Sequence, residues 1–353
     1  MSMDPREYGG KFLPPSLGAD PEAAAAMHEA GLLFRSQSMR ELYRVAIQVA
    51  GSDAPVLITG ESGTGKEIFA RLLHTLSDRS GRPFVPVNCG VLSGELFADK
   101  FFGHEPGAFT GALRLQKGSF EMAGDGTLFL DEVGEIPLTN QVDFLRVIEE
   151  RSFRRLGGEK DLGFRARIVA ATNRSLPDMV RSGRFRADLF YRLSVIPIVL
   201  PSLRERSDDI APLAEYFLWL FSHHYHRPTI ALSKPALDLL ARHSWPGNVR
   251  ELKNLMERVA LLHKGDGPVL PDDLPLEMRL ELGLDLNLHP PLPQAPSPTD
   301  APPTLDEAVR RAEIQAIRCA YAAAHGSKQR TAELLDISPR TLRHKLAQYG
   351  LKL

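Results

Sequence analysis

The segment Gly60-Glu61-Ser62-Gly63-Thr64-Gly65-Lys66 constrains this chain more than any other feature. It follows the apolar run Val56-Leu57-Ile58-Thr59 and precedes a helical pattern, so it reads as strand, loop and helix in the G-x-x-x-x-G-K form. Glycines let backbone N–H groups curl round phosphate oxygens, the helix N-terminus favours negative charge, and Lys66 reaches the outer phosphates. A chance glycine-rich turn would lack the strand before it and the helix after it. Glu67 stands where a Ser or Thr hydroxyl usually ligates magnesium, so the metal is to be held through water or by other groups. Thr127-Leu128-Phe129-Leu130 runs into Asp131-Glu132. At the carboxyl end of a parallel strand this pair puts Asp131 toward Mg²⁺ and Glu132 toward an attacking water. Alone the pair is weak, because strands often end in solvated acids. With the phosphate loop upstream it points to hydrolysis of a nucleoside triphosphate.

From about residue 34 to 201, short apolar runs alternate with helical patterns, which predicts an α/β domain on a largely parallel sheet. The expected strands are 56–59, 84–87, 127–130, 168–171 and 195–199. Helical patterns dominate 208–263, with a turn at Trp245-Pro246-Gly247, as in a small helical lid. Half the residues of 290–303 are proline, so that stretch reads as a semi-rigid, extended tether. The chain therefore divides into a tail (1–31), an α/β subdomain (32–205), a lid (206–268), a linker (269–303) and an all-α terminal module (304–353). A net charge of -1 makes no overall case for nucleic acid, so any such case must be local. Cys89 and Cys319 are too few and too far apart for a disulfide scaffold and suit a reducing cytosol. No run approaches the roughly 20 apolar residues that cross a bilayer, and the first residues lack a signal-peptide core. A cytoplasmic location without a membrane partner is expected.

Together these motifs resemble the AAA+ family of sigma-54-dependent transcriptional activators, the bacterial enhancer-binding proteins, from about Leu32 to Leu353. The phosphate loop with Glu67 after its lysine is similar to that family's variant. The most specific string is Gly107-Ala108-Phe109-Thr110-Gly111-Ala112, which resembles the family's sigma-54-contacting loop. In physical terms, small residues around Phe109-Thr110 leave a pliable backbone carrying one ring and one hydroxyl. Such a tip suits a contact that grips in one nucleotide state and retracts in another. By composition alone, Phe109 would more readily tuck into the core beneath a turn.

The resemblance implies further roles. Asn88 would hold the catalytic Glu132 until the partner is engaged, and Asn173 of Thr172-Asn173 would be sensor I, which feels the γ-phosphate. Asn173 also suits a helix N-cap, and the two roles are compatible. Arg186 and Arg192, within 185–193, would be arginine fingers reaching the γ-phosphate of a neighbouring subunit. Arg250 would be sensor II on the lid. The implied ligands are ATP and Mg²⁺, and the implied assembly is a hexameric ring acting on sigma-54 and RNA polymerase. Two departures stand out: Lys100-Phe101-Phe102-Gly103-His104-Glu105 replaces the family's Glu-Leu-Phe-Gly-His-Glu, and Phe34 occupies the place of a glycine by the adenine pocket.

Residues 326–353 hold Lys328, Arg330, Arg340, Arg343, Lys345 and Lys352 against Glu333 and Asp336, a local excess that attracts phosphate. A short amphipathic helix over 328–335 is followed by a turn at Asp336-Ile337-Ser338, and Pro339 suits the first position of a second helix reaching 349. Arg340, Thr341, Arg343, His344 and Lys345 lie where a recognition helix meets base edges. A basic helical hairpin that packs on the lid or a partner is the plainer alternative. The string resembles the Fis-type helix-turn-helix at the end of the same family, which implies binding to upstream double-stranded DNA, with 305–323 as preceding helices and a dimer contact. The expected activity is ATP hydrolysis that drives sigma-54 RNA polymerase from the closed to the open promoter complex. A DNA-binding AAA+ regulator that does not act through sigma-54 is the alternative. A tail of about 30 residues is too short for a receiver or sensor domain, so control in trans, by an inhibitory partner or by expression level, is expected.

Overall fold

The computed structural model describes residues 21–90, 95–263, 267–281 and 327–351, together with 309–310, 312–314, 316–317, 320–321 and 324. Two compact units divide the chain at residues 285 and 286. The first begins with α1 (Pro21–Ala30), α2 (Gln37–Ala50), β1 (Val56–Thr59), α3 (Lys66–Thr75), β2 (Phe84–Asn88) and α4 (Glu95–Phe102). A hairpin of β3 (Gly103–His104) and β4 (Gln116–Lys117) leads to α5 (Ser119–Ala123), β5 (Thr127–Asp131) and α6 (Leu138–Glu150). A second hairpin, β6 (Ser152–Phe153) and β7 (Leu162–Gly163), precedes β8 (Arg167–Thr172), α7 (Leu176–Arg181), α8 (Ala187–Leu193) and β9 (Ile196–Val199). The lid contains α9 (Ile210–His224), α10 (Lys234–Arg242), α11 (Asn248–Leu262) and α12 (Leu276–Glu281).

The central sheet is wholly parallel, in the order β2-β5-β8-β1-β9, and its strands are the five expected from the sequence. A parallel sheet needs cover on both faces. All of β8 and the first four residues of β5 are buried. Alternate side chains feed two separate cores, as a side-chain period of two requires. Val56, Ile58, Phe129, Val169 and Ala171 pack toward α2, α3 and the lid, whereas Leu57, Leu128, Leu130, Ile168 and Ala170 pack toward α4, α6 and α8. Both edge strands carry an exposed proline, Pro86 and Pro197, which removes a ladder donor and discourages a further strand. Beneath the β3–β4 hairpin the rings of Phe97, Phe101 and Phe144 meet at 4.7–5.7 Å. Each such pair is worth about 0.5–1.5 kcal/mol beyond its burial.

Two boundaries differ from the sequence reading. Residues 21–30, expected in the tail, form a helix that buries Ala26 and Ala30 against α3 and the lid core. Alanine is the strongest helix former but carries little apolar surface, so no hydrophobic stripe announced it. Residues expected in the linker continue the lid, with Val269, Leu274 and Met278 buried in its core. A six-residue helix is too short to show a period. The proline-rich stretch 290–303 lies outside the described residues, as do residues 305–308 of the expected helices. Among the described residues no helix is long and apolar enough to cross a membrane.

In the second unit, helices Lys328–Leu334 and Pro339–Gln348 are capped by Ser327 and Ser338, whose hydroxyls accept from the backbones of Arg330 and Thr341. Asp336 turns the chain at φ +51°, a conformation Asp tolerates better than most residues. Leu342 and Leu346 close on Ile317 and Ala332. Full burial of each leucine contributes about 1.5–3 kcal/mol.

Candidate functional site

The phosphate loop leaves β1 and enters α3 at the carboxyl end of the sheet, where open α/β sheets bind ligands. Gly63 holds φ +80°, and a Cβ there would sit 2.3 Å from the Gly247 carbonyl oxygen, so no other residue fits. Lys66 is buried, and its Nζ donates to the carbonyls of Gly60 at 3.0 Å and Glu61 at 3.1 Å. Burial lowers its pKa, opposed by Glu132 and Asp131. The loop walls a cavity of about 470 Å³, a size suited to a small-molecule ligand. One side is polar, with Ser62 to Glu67, Asp131, Glu132 and Arg250. An apolar wall of Leu32, Leu33, Leu213, Tyr216, Phe217 and Val249 lies across from it, joined on the lid by the polar Lys253, Asn254 and Glu257. Phe34 is in the core, its ring 5.7 Å from Tyr43, while Gly31 at φ +69° lines the cavity. The departure at Phe34 therefore leaves the apolar wall intact.

Asp131 pairs in register with Asn88 on the neighbouring strand, and its Oδ1 accepts from the Glu132 backbone at 3.0 Å. Burial, and then the Glu132 charge, push the Asp131 carboxyl above its usual range. Glu132 holds a left-handed backbone at φ +53°, which costs about 1–3 kcal/mol. Its Oε2 is buried and finds no hydrogen-bond partner among the described residues. An orphaned acceptor of this kind costs about 1–3 kcal/mol unless a bound water or ligand completes it. These acids, beside Lys66, suit a nucleotide with Mg²⁺: the metal takes few protein oxygens and keeps its phosphates and waters.

The raised Asp131 carboxyl has a consequence for stability. Its folded pKa exceeds the unfolded value, so the folded chain binds more protons, and this group weakens the fold as pH rises from the unfolded pKa to the folded one. Asp131→Asn is therefore expected to raise the Tm of the nucleotide-free chain at pH 7, with the gain shrinking as pH is lowered toward the ordinary carboxylate pKa. Thermal melts across that range check this; an unchanged or lowered Tm at pH 7 contradicts it.

Other residues singled out from the sequence fall in three places. Arg250 reaches the phosphate loop from α11 and donates to Ser62 Oγ at 3.0 Å. Glu67 turns to Arg71 at 2.7 Å. Asn88 Oδ1 accepts from the Gly90 backbone at 2.8 Å. Asn173 is exposed just past β8, and the cap of α7 is Ser175, so the N-cap role falls elsewhere. Arg186 and Arg192 lie at the two ends of α8, exposed and paired with Asp188 and Glu149. Neither lines this chain's own cavity.

The sequence reading missed a group of buried polar residues. Arg206 donates to the Thr64 carbonyl at 2.7 Å and lies 3.8 Å from Asp209. Asp209 in turn accepts from the backbone and hydroxyl of Ser36, at 2.6 and 2.9 Å. Asn248, fully buried at φ +52°, reaches Glu61 and Ser62. Pattern reading places arginine and aspartate at the surface, so nothing in the local sequence marked them.

The segment 105–115 is the loop of the β3–β4 hairpin. Gly107 donates to the Ala112 carbonyl at 2.8 Å, and Ala112 donates to the Phe109 carbonyl at 3.0 Å, which closes a compact tip. Phe109 is 40% exposed, its ring edge-on to His104 at 4.9 Å, so it does not tuck into the core. Thr110 is exposed. The base is held from the second hairpin. Arg155 donates to Glu105 at 2.6 Å and to Glu121 at 2.9 Å, and a Cβ on Gly157 would meet Ala108 at 2.8 Å. Lys100 is exposed, and its carbonyl accepts from Ser119 Oγ at 2.9 Å.

In the terminal unit, Arg340, Thr341, Arg343 and His344 are exposed near the start of the second helix, and Lys328 and Arg330 on the first. Lys345 differs: its Nζ donates to Glu313 at 2.6 Å, and the Tyr349 hydroxyl donates to the same carboxylate. Its charge is engaged inside the module.

Residues 32–199 match the family model of the sigma-54 interaction domain, 204–282 that of an AAA+ ATPase lid domain, and 308–349 that of Fis-family bacterial regulatory proteins. The chain is 44% identical to the regulatory protein AtoC of Escherichia coli (strain K12), over 91% of its own length and 68% of that protein. It is 40% identical to the DNA-binding transcriptional regulator NtrC of Azospirillum brasilense, over 100% of its own length and 76% of that protein. Among solved structures it is similar to NtrX from Brucella abortus in complex with ATP. There the TM-score is 0.65 at 33% identity, covering 91% of this chain and 69% of that one.

Proposed function

The chain belongs to the AAA+ family of sigma-54-dependent transcriptional activators that end in a Fis-type helix-turn-helix, and we propose that it hydrolyses ATP to remodel sigma-54 RNA polymerase. One observation carries this reading: a single α/β subdomain holds both a nucleotide-sized cavity with an orphaned Glu132 carboxylate and a hairpin tip that leaves Phe109-Thr110 unburied. The ATP complex of the similar NtrX structure supports ATP as the nucleotide.

In this mechanism the loop from Gly60 to Gly65 presents backbone N–H groups to the phosphates, and Lys66 gives up its carbonyl partners for the outer phosphate oxygens. Asp131 would hold Mg²⁺, which would supply neutralisation of the phosphate charge. Glu132 Oε2 accepts a proton from the attacking water as the oxygen joins the γ-phosphorus, and ADP leaves. Asn88, at the end of the next strand, is assigned to hold Glu132 back until sigma-54 is engaged. Asn173 and Arg250 read the γ-phosphate from the strand end and from the lid. Arg186 and Arg192, off their own cavity, serve a neighbour's site in a hexameric ring. Arg340, Thr341, Arg343 and His344 face base edges of upstream DNA, with Lys328 and Arg330 toward its phosphates.

Purified sigma-54 mixed with the full chain and an ATP transition-state analogue tests the assignment. The wild type is expected to form a nucleotide-dependent complex that Thr110→Ala abolishes while ATP hydrolysis persists. A wild type that hydrolyses ATP and binds DNA yet forms no complex would favour a regulator that does not work through sigma-54.

A further inference from the structure

The acidic residue of the phosphate loop turns away from the cavity. The Glu61 carboxylate accepts Arg204 Nη1 at 2.9 Å, a second and shorter bond from Arg204 Nη2, and Asn248 Nδ2 at 3.1 Å. Glu61 does not line the cavity, although Ser62 to Glu67 do. Arg204 lies in the helical turn Leu203–Asp209 that leads into the lid, and Asn248 opens α11. The Asn248 side chain also donates to the Ser62 carbonyl at 3.0 Å and accepts from the Leu203 backbone at 2.7 Å. A single buried amide thus joins the loop, the turn before the lid and the lid helix. Arg204, then Asn248, draw the Glu61 carboxyl down to about 2, which keeps it ionised at any working pH.

The cavity has the phosphate loop on one side and Tyr216, Phe217, Val249 and Asn254 of the lid on the other. A nucleotide held there touches both the loop and the lid, so its release is coupled to movement between them, and such opening steps often limit turnover. The bonds that span this gap include those of Glu61 and Ser62 to Arg204, Asn248 and Arg250. An exposed ion pair alone holds little. A bidentate arginine joined to a buried amide forms a network that holds more.

We propose that Glu61 is a latch between the phosphate loop and the lid, a positioning residue whose pairing with Arg204 and Asn248 sets the rate at which spent nucleotide leaves. The proposal rests on reading the cavity as the ATP site. Nucleotide release slows when the latch is closed, and lid opening breaks it.

The full chain loaded with a fluorescent ADP analogue and chased with unlabelled ADP in stopped flow reads the latch directly. Glu61→Gln and Arg204→Ala are each expected to speed release about tenfold, a change of about 1.4 kcal/mol in the barrier. The double variant should release no faster than either single one, because both break the same pair. Arg204→Ala should raise KM for ATP without lowering kcat, and Arg204→Lys should restore slower release. A merely structural defect would lower kcat and shift the melting temperature instead. Normal ADP binding with wild-type release in both single variants overturns the latch, as does a double variant whose acceleration is the product of the two. A chain that binds no labelled ADP overturns the ATP site and the latch together.

Discussion

Replacing Glu132 by glutamine is expected to lower ATP turnover about a thousandfold while nucleotide binding persists. Its Oε2 is buried at the cavity wall and unpartnered, and its backbone is held at φ +53° just past β5. A group kept in so costly a state, beside Lys66, is poised for one acceptor task. Glutamine matches its shape but is too weak a base to take a proton from water. Binding should survive, because Lys66, the loop N–H groups and the apolar wall are untouched. Single-turnover hydrolysis of labelled ATP, run beside equilibrium binding of a fluorescent analogue, separates the two. Turnover within about tenfold of wild type would remove Glu132 as the base. Loss of binding along with turnover would mean instead that the cavity had collapsed.

A loss of about 10³–10⁵ is expected for Arg186→Ala, although that side chain never reaches its own cavity. In the isolated chain its guanidinium rests on Asp188, a pairing that involves only exposed atoms and is easily exchanged for a phosphate. The decisive result comes from mixing. Arg186→Ala chains still have Glu132, and Glu132→Gln chains still have Arg186, so in the proposed ring a mixture contains interfaces with one intact copy of each. Two inactive preparations combined in equal amounts should recover about a quarter of wild-type activity when they assort at random. Absence of any recovery would place both groups in the service of one chain's site. Arg192, tied to Glu149 at the other end of α8, is expected to behave in the same way.

The parts of this protein legible in its sequence are those that depend on near neighbours. Strands buried on both faces read as unbroken apolar runs, so β1, β5 and β8 were visible before any packing was known. Gly63 and Lys66 declare a phosphate loop within seven residues, and Asp131-Glu132 declare a strand end. The caps at Ser327 and Ser338, with the turn at Asp336, mark the two terminal helices in the same local way. The residues around Phe109-Thr110 were legible as a motif, but nothing local said whether the ring faced the core or the solvent.

Tertiary structure decided the rest. Glu61 and Asn248 stand 187 residues apart, Thr64 and Arg206 142, and Asp209 and Ser36 173. Each pair was invisible because a polar side chain signals only that water or some partner must satisfy it, not which one. That Lys345 serves Glu313 instead of facing outward with Arg343, and that Ala26 packs where no stripe predicted a helix, follow from the same cause. Periodicity and turn chemistry belong to the chain and fix local conformation. The partner of a buried charge or amide is set by which segments the folded core brings within hydrogen-bond reach, and only the assembled fold determines that.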